Sequence, residues 1–364
     1  MTTFDITHVC NFKCLHCCRV YKDRKDLSLK TWYRILDQFI DKDLTITLSG
    51  GEPTLRKDLF QLILYVRSHA PLDVDTYKKL MKEKNPDKIF EYVKKTKLTI
   101  TTNGEMLTES MIDDFRKQGV TVWASLDTVD EKTFSKIRCG GNLKVILKNL
   151  TYATSKIPVH VNYVVMEENK NDAIDTINFL NRIGARMIRV TAIKMLGNAV
   201  KNNVSLYHKS YYELMNKIVD HFGKKHLNLS ILFVLSPTYR AYLILNNKYN
   251  NIVRKIKKSK NIFIEEHFCK KFMDLDRAAV DANGDLMGCC NAQGIKYFKM
   301  GNLSRQKLSE CWNKAEKRDM FFKLPEDCNG CRFKKTCNGG CRLVSYETKR
   351  DCHKKDPTCP FEFS

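Results

Sequence analysis

No apolar run in this chain approaches the ~20 residues that a membrane-spanning helix needs. The N-terminus lacks the charged, apolar and small-residue succession of a secretory signal. Membrane-embedded and exported classes are therefore not expected, and the chain reads as cytoplasmic. There is no internal repeat and no low-complexity segment, which excludes solenoids and long disordered tails. The basic residues form no stripe interleaved with aromatics, so a nucleic-acid partner is not indicated. Acidic residues are in short supply, with 41 Asp and Glu against 63 Lys and Arg and a formal net charge of +22 over 364 residues. A scattered lysine surplus keeps a surface soluble, and it also suits an anionic partner such as an acidic peptide or a polycarboxylate.

Cysteine is abundant. The chain has 15, four of them within nine residues in "CNFKCLHCC" (10–18). Cytosolic thiols stay reduced, so such a number argues against a disulfide framework and for metal. A second group lies at 328–341, with Cys269, Cys289, Cys290, Cys352 and Cys359 around it. The simplest picture is one metal-rich site at each end of the chain.

Between these ends the apolar periodicity alternates between strand and helix. Strands are expected at 2–6, 44–49, 97–102, 120–125, 159–166 and 186–193. Helices are expected at 29–40 (with Ser28 as N-cap), 59–68, 109–118, 142–155, 172–183 and near 209–224. Six such units predict an α/β fold, a partial (βα)6 TIM-like barrel whose chemistry sits at the carboxyl ends of the strands. The notable motifs obey that rule: the first cysteines follow strand one, "SGGEP" (49–53) strand two, "TNG" (102–104) strand three and "SLD" (125–127) strand four. Residues 1–205 form the expected core, with a lysine-rich helical insertion at about 70–96 that reads as a solvated decoration. Residues 206–262 read as a bridging region, and 263–364 as a small cysteine-rich, metal-stapled domain.

Three thiolates from one short loop can hold three irons of a 4Fe–4S cube and leave the fourth iron open to a small molecule. A structural zinc site would want four ligands. Cys10-x-x-x-Cys14-x-x-Cys17 after the first strand, with Gly50, Gly51, Glu52 and Pro53 after the second, resembles the radical S-adenosylmethionine (SAM) superfamily. The resemblance covers about residues 1–200. It implies that SAM chelates the open iron, is cleaved reductively to a 5′-deoxyadenosyl radical, and that this radical abstracts hydrogen from the substrate. It assigns SAM contacts to Gly50, Gly51, Glu52 and Pro53, to Ser125 and Asp127 after strand four, to Asn162 on strand five and to Gly197 after strand six. Asn103 and Gly104 read as a tight turn, His16 as packing near the cluster, and Cys18 as a packed thiol.

Cys269, Gly284, Cys289, Cys328, Cys331, Cys337, Cys341 and Cys359, in that order and spacing, resemble the SPASM domain found on many members. The resemblance implies two auxiliary 4Fe–4S clusters, making three in all. Cys328, Cys331, Cys337 and Cys359 would hold the outer one; Cys269, Cys289 and Cys341 would hold the inner one. The inner cluster would either keep an open iron or recruit Cys290, Cys311 or Cys352. Cys290 stands where sulfatase-maturing members carry a basic aspartate, so it is a candidate catalytic thiol. Asp274, Asp276 and Asp281 are acids nearby.

The implied activity is peptide or protein maturation: a cross-link, thioether, oxidation or epimerisation. Flavodoxin or ferredoxin would be the reductant. The chain starts almost at its first strand, so a separate recognition protein, or the insertion, would bind the peptide. A carboxylate-rich metabolite such as a tetrapyrrole is the alternative substrate, and a metal-stabilised nucleic-acid binder the remote alternative.

Overall fold

The computed structural model describes residues 1–19, 25–266, 275–313 and 323–361. The chain lays down β1 (Thr2–Asp5), the short β2 (Lys13–Cys14), α1 (Leu29–Ile40), β3 (Ile46–Ser49), α2 (Leu59–His69), α3 (Val74–Leu80), α4 (Pro86–Thr96) and β4 (Leu98–Thr102). It continues with α5 (Glu109–Lys117), β5 (Thr121–Ser125), α6 (Glu131–Ile137), β6 (Arg138–Cys139), α7 (Leu143–Lys156), β7 (Val159–Val165), α8 (Ala173–Ile183) and β8 (Met187–Ala192). Next come α9 (Asn198–Lys201), α10 (His208–Phe222), β9 (Ser230–Leu235), α11 (Pro237–Leu245), α12 (Tyr249–Lys257) and β10 (Ile262–Glu266). The C-terminal part adds β11 (Ala279–Val280), β12 (Asp285–Met287), β13 (Lys299–Asn302), α13 (Leu308–Trp312), α14 (Lys334–Cys337) and α15 (Arg342–Lys349).

Among the described residues these strands form one eleven-stranded sheet, ordered β10–β9–β8–β7–β5–β4–β3–β1–β11–β12–β13. From β10 to β11 every neighbouring pair is parallel. The six expected strands are β1, β3, β4, β5, β7 and β8, adjacent in that order. Helices cover the outer face. In α1, Trp32, Ile35, Leu36 and Phe39 are buried at helical spacing, and the Ser28 side chain accepts from Thr31 N as the N-cap. Along β7, Val159, Val161, Tyr163 and Val165 join this outer core, while His160 and Asn162 alternate to the inner, concave face.

Two expectations need correction. Residues 206–262 do not merely bridge: β9 and β10 extend the parallel sheet, and the expected boundary at 262/263 falls inside β10. The C-terminal domain is likewise joined to the core, because β11 pairs in parallel with β1 at Thr3↔Ala279 and Phe4↔Val280. The 70–96 insertion is helical as expected but is not a solvated decoration. Leu80, Ile89 and Val93 are fully buried with Trp123, Met187 and Leu232 from the concave face of the sheet. Phe90 stacks on Trp123 with ring centres 6.0 Å apart. The insertion therefore floors the amino end of the half-barrel, opposite the end where the cysteine loop lies, and its apolar face is not available to a peptide. No helix among the described residues is long and apolar enough to cross a membrane.

His160 sits above this floor, fully buried, its ring 4.8 Å from Trp123 and neither nitrogen hydrogen-bonded. Burial, helped by Arg186, pushes its pKa from the ordinary 6.5 down to about 3. The unfolded chain therefore binds a proton below about pH 6.5 that the folded chain refuses. Stability from this group is full above that pH and is lost as pH falls towards about 3, by at most about 1.4 kcal/mol per pH unit. Urea midpoints at pH 7 and pH 5 should fall further apart in the wild type than in His160→Gln; equal differences would contradict the assignment.

Candidate active site at the carboxyl end of the sheet

The loop that leaves β1 carries Cys10, Cys14 and Cys17. Its β2 pairs with β6, matching Lys13 to Cys139 and Cys14 to Arg138. Phe12 N donates to Cys10 Sγ (3.4 Å), and Cys17 N donates to Cys14 O (3.3 Å). As free thiols the three hold their protons. Burial pushes Cys14 up to about 11 and raises Cys10 and Cys17 as well. A metal must displace those protons to bind.

Three neighbouring strand ends clamp this loop. The first is the Gly-Gly-Glu-Pro segment after β3. Gly51 N donates to Thr7 O (3.0 Å) and Glu52 N to Val9 O (2.7 Å). A Cβ on Gly51 would lie 2.2 Å from Val9 O, and one on Gly50, at φ +143°, 2.6 Å from Thr7 O. Glycine here lets two backbones touch. Glu52, 1% exposed, accepts from Thr54 N (3.1 Å), Thr54 Oγ1 (2.6 Å), Thr102 Oγ1 (2.7 Å) and Asn103 N (2.6 Å). Asn103 in turn donates to Asn11 Oδ1 (2.8 Å), and Asn11 donates to Glu105.

The second clamp is a buried ion pair. Asp127, fully buried, receives Arg138 Nε (2.8 Å) and Nη2 (2.6 Å) on one carboxylate oxygen and Val164 N (2.8 Å) on the other. The remaining Arg138 nitrogen, Nη1, points at Cys14 Sγ, 4.0 Å away. His16 Nε2 lies 3.3 Å from the same Asp127 oxygen, and burial pushes its pKa down to about 4, so the ring is neutral.

The third clamp follows β8. Gly197, at φ +55°, packs so that a Cβ would meet Cys17 O at 2.7 Å. Asn198 N donates to Cys17 O (2.9 Å), Asn198 Nδ2 to Cys14 O (3.1 Å) and Asn202 Nδ2 to Leu15 O (2.9 Å). Gly197 N donates to Glu347 Oε2 on α15 (3.3 Å), tying the loop to the C-terminal domain.

The positions expected to touch SAM thus divide. Glu52 and Asp127 have their carboxylates taken by protein donors, and Gly197 is pressed against the cysteine loop. These side chains and this close approach hold the loop. Pro53 opens a short helical turn, Pro53–Leu55, capped by Glu52. Ser125 and Asn162 are register partners on β5 and β7, half-buried, and neither side chain is hydrogen-bonded within the described residues. Their polar groups are free to take a ligand's hydroxyls. Asn103 and Gly104 form the expected turn, with Glu105 N donating to Asn103 Oδ1.

The chamber next to the loop is charged. Arg19 pairs with Asp5 (2.6 Å) and Arg189 with Glu265 (3.2 Å). A hydrogen bond from Cys289, and the charges of Lys194, Arg19 and Arg189, lower the pKa of Cys290. Asp281 is committed to its turn, accepting from Asn283 N (2.9 Å) and Asp285 N (3.0 Å). Cys269 and Asp274 lie outside the described residues.

The outer four cysteines converge. Cys328, Cys331, Cys337 and Cys359 line one cavity of ≈ 20 Å³ with Thr238, Gly339 and Asp356. Among the described residues, no three His, Cys, Asp or Glu side chains are arranged to hold a single metal ion. Four thiols on one cavity are the donor set that a 4Fe–4S cube takes. For the N-terminal loop the fit rests on the donor set: three thiols on one clamped loop. Arg138, Asn11, Glu105, Asn198 and Glu347 were not anticipated. One arginine among 63 basic residues carries no pattern that marks it.

Removing one partner of a buried ion pair strands the other's charge, at about 3–5 kcal/mol. Asp127→Asn should therefore lower the denaturant midpoint by that order and release iron from the N-terminal site. Asn142→Ala, an exposed control outside this ion pair whose backbone N–H still donates to Glu105, should retain the metal. Equal iron retention in Asp127→Asn and wild type would contradict the clamp.

The sequence matches the radical SAM superfamily over residues 4–180 and the SPASM iron–sulfur cluster-binding domain over residues 269–338. A PqqA peptide cyclase from Granulibacter bethesdensis is 21% identical, over 98% of this chain and 85% of its own length. The fold matches Streptococcus suis SuiB bound to its precursor peptide SuiA, at TM-score 0.72 and 19% identity, over 99% of this chain and 75% of that one. It also matches anSMEcpe with bound AdoMet and a peptide, at TM-score 0.64 and 15% identity, over 98% and 92% of the two chains. The first match spans Cys10, Cys14 and Cys17, the second spans Cys289, Cys328, Cys331 and Cys337, and the chain belongs to the radical SAM superfamily as an enzyme with a C-terminal SPASM domain.

Proposed function

We propose that this enzyme matures a peptide or protein substrate by radical chemistry at one of its C–H bonds. The observation that carries the reading is the extent of the likeness to the PqqA peptide cyclases, which spans 98% of this chain and both of its domains. SuiB bound to SuiA and anSMEcpe bound to a peptide have the same fold. When bound, the iron–sulfur clusters and SAM supply reductive cleavage to a 5′-deoxyadenosyl radical and a path for the electron.

The chain's residues supply the rest. Cys10, Cys14 and Cys17 hold the N-terminal cluster. The backbone at Gly50–Pro53, with Ser125 and Asn162, orients SAM. The floor made by α3 and α4 closes the chamber at its far end and keeps water from reaching it that way. Cys290, hydrogen-bonded with Cys289, is the candidate catalytic thiol. Cys328, Cys331, Cys337 and Cys359 hold the outer auxiliary cluster. The enzyme works in the cytoplasm and takes electrons from flavodoxin or ferredoxin. A separate protein presents the peptide, since the insertion's apolar face is buried.

The test uses anaerobically reconstituted enzyme, reduced flavodoxin, SAM and the short peptide encoded beside its gene, in deuterium oxide. The expected result is 5′-deoxyadenosine together with a peptide that has lost a hydrogen pair or gained a single deuterium. An unchanged peptide, with consumption of a carboxylate-rich tetrapyrrole in its place, would overturn the peptide assignment.

A further inference from the structure

The outer auxiliary site brings together groups of one sign. Cys328, Cys331, Cys337 and Cys359 line a cavity together with Gly339 and Asp356. A cube held there by four thiolates is anionic, and Asp356, 3% exposed, adds a carboxyl group to the same wall. That carboxyl group is fixed in place: it accepts from Cys341 N (2.8 Å), Thr358 N (2.8 Å) and Thr358 Oγ1 (2.6 Å). Of the lysines on the lining, Lys334 is exposed and Lys355 half-buried, where water and salt screen them.

One cation next to this wall is buried. Arg342 is 2% exposed; its Nη1 donates to Gly339 O (3.0 Å) and its Nη2 to Asn338 O (2.6 Å). The guanidinium therefore lies directly behind a residue of the cavity wall. The helix that carries it does not explain it. Arg342 is the first residue of α15, where the positive end of the helix dipole disfavours a cation, and arginine is seldom fully buried. The preceding linker, in "CNGGCR" (337–342), is folded around it. Asn338, Gly339 and Gly340 take φ of +49°, +70° and +79°, three left-handed residues in succession. A Cβ on Gly339 would lie 2.9 Å from Arg342 Nη2 and 2.5 Å from Pro325 Cδ, and one on Gly340 2.2 Å from Asp356 Cβ. The two glycines let the linker press on the guanidinium at one position and on Asp356 at the next. The charge reaches the thiols: burial and Cys359 raise the pKa of Cys328, and Arg342 opposes them.

We propose that Arg342 is a positioning residue of the outer auxiliary cluster whose buried charge sets that cluster's reduction potential, holding it above the value that four thiolates beside Asp356 would give. Net charge is one of the levers on iron–sulfur potentials. This rests on the cluster assignments made above. Its consequence is that the outer cluster is the readier electron acceptor with Arg342 than without it.

The test is a redox titration followed by electron paramagnetic resonance on the reconstituted full-length enzyme, with SAM present and no peptide. Cys331→Ser marks which auxiliary signal belongs to the outer cluster. In Arg342→Gln the midpoint of that signal should fall, with the ratio of reduced to oxidised cluster lowered about tenfold at the wild-type midpoint. Arg342→Lys keeps the charge and loses the paired contacts to Asn338 and Gly339. Its redox midpoint should stay with the wild type, while the unfolding midpoint of the loaded enzyme falls in both variants. Equal redox shifts in the two variants, or none in Arg342→Gln, would overturn the proposal and leave the outer cluster standing. Should Arg342→Gln fail to hold the outer irons, Arg342→Lys decides: irons retained at the wild-type potential support the role of the charge, and their loss overturns it. A wild type without outer irons would overturn the cluster assignment as well. No peptide is involved, so a failure of the peptide assignment leaves this result untouched.

Discussion

A loop that must hold three thiols for a metal cannot hold itself. It has few apolar side chains to bury, and its backbone groups need partners. The cysteine loop here depends on a buried ion pair: Asp127 and Arg138, both nearly inaccessible, joined at 2.6 Å and 2.8 Å. The pair is expensive to desolvate, and the expense is offset by placement. Asp127 also fixes Val164 on β7, and the free end of Arg138 reaches Cys14. The loop is thereby registered against β5, β6 and β7 together. Gly51 and Gly197 complete the grip from either side, through contacts that any Cβ would break.

The same logic links the two domains. One sheet runs from β10 to β13, so Cys289, just past β12, is set by strand pairing. Glu347 reaches Gly197 behind the cysteine loop, and Leu196 from the same turn packs with Cys289. These contacts tie the C-terminal domain to the turn that clamps the cysteine loop, and the half-barrel is closed at its amino end. Its floor comes from α3 and α4, whose burial against Trp123, Met187 and Leu232 explains why an insertion rich in lysine is nonetheless ordered.

Much of this was legible in the sequence. The six core strands follow from apolar runs between turn residues, and their end motifs follow from the rule that parallel α/β sheets place chemistry at the strands' carboxyl ends. The grouping of the outer four cysteines came from the SPASM resemblance that their order and spacing carry, and the four line one cavity. The rest depended on distance in three dimensions. Glu52 and Asp127 look like ligand-facing acids in one dimension, and only their neighbours Thr54, Thr102, Asn103, Val164 and Arg138 reveal carboxylates already satisfied. β9 and β10 were hidden because their segment also contains strong helices. The insertion's polar face announced itself in lysines, while its buried face was a handful of apolar residues whose partners lie 30 to 152 positions further on. Cys352 sits in a charged run that gives no hint of burial.

The account stands or falls on metal. Iron, sulfide and zinc per chain, measured after anaerobic reconstitution in wild type and in the Cys10/Cys14/Cys17→Ala variant, address it directly. Three cubes predict about 12 irons in the wild type and a loss of about 4 in the variant. Zinc in place of iron, or a variant that keeps its full iron complement, would contradict the assignment of the clamped loop as the site where SAM meets a cluster.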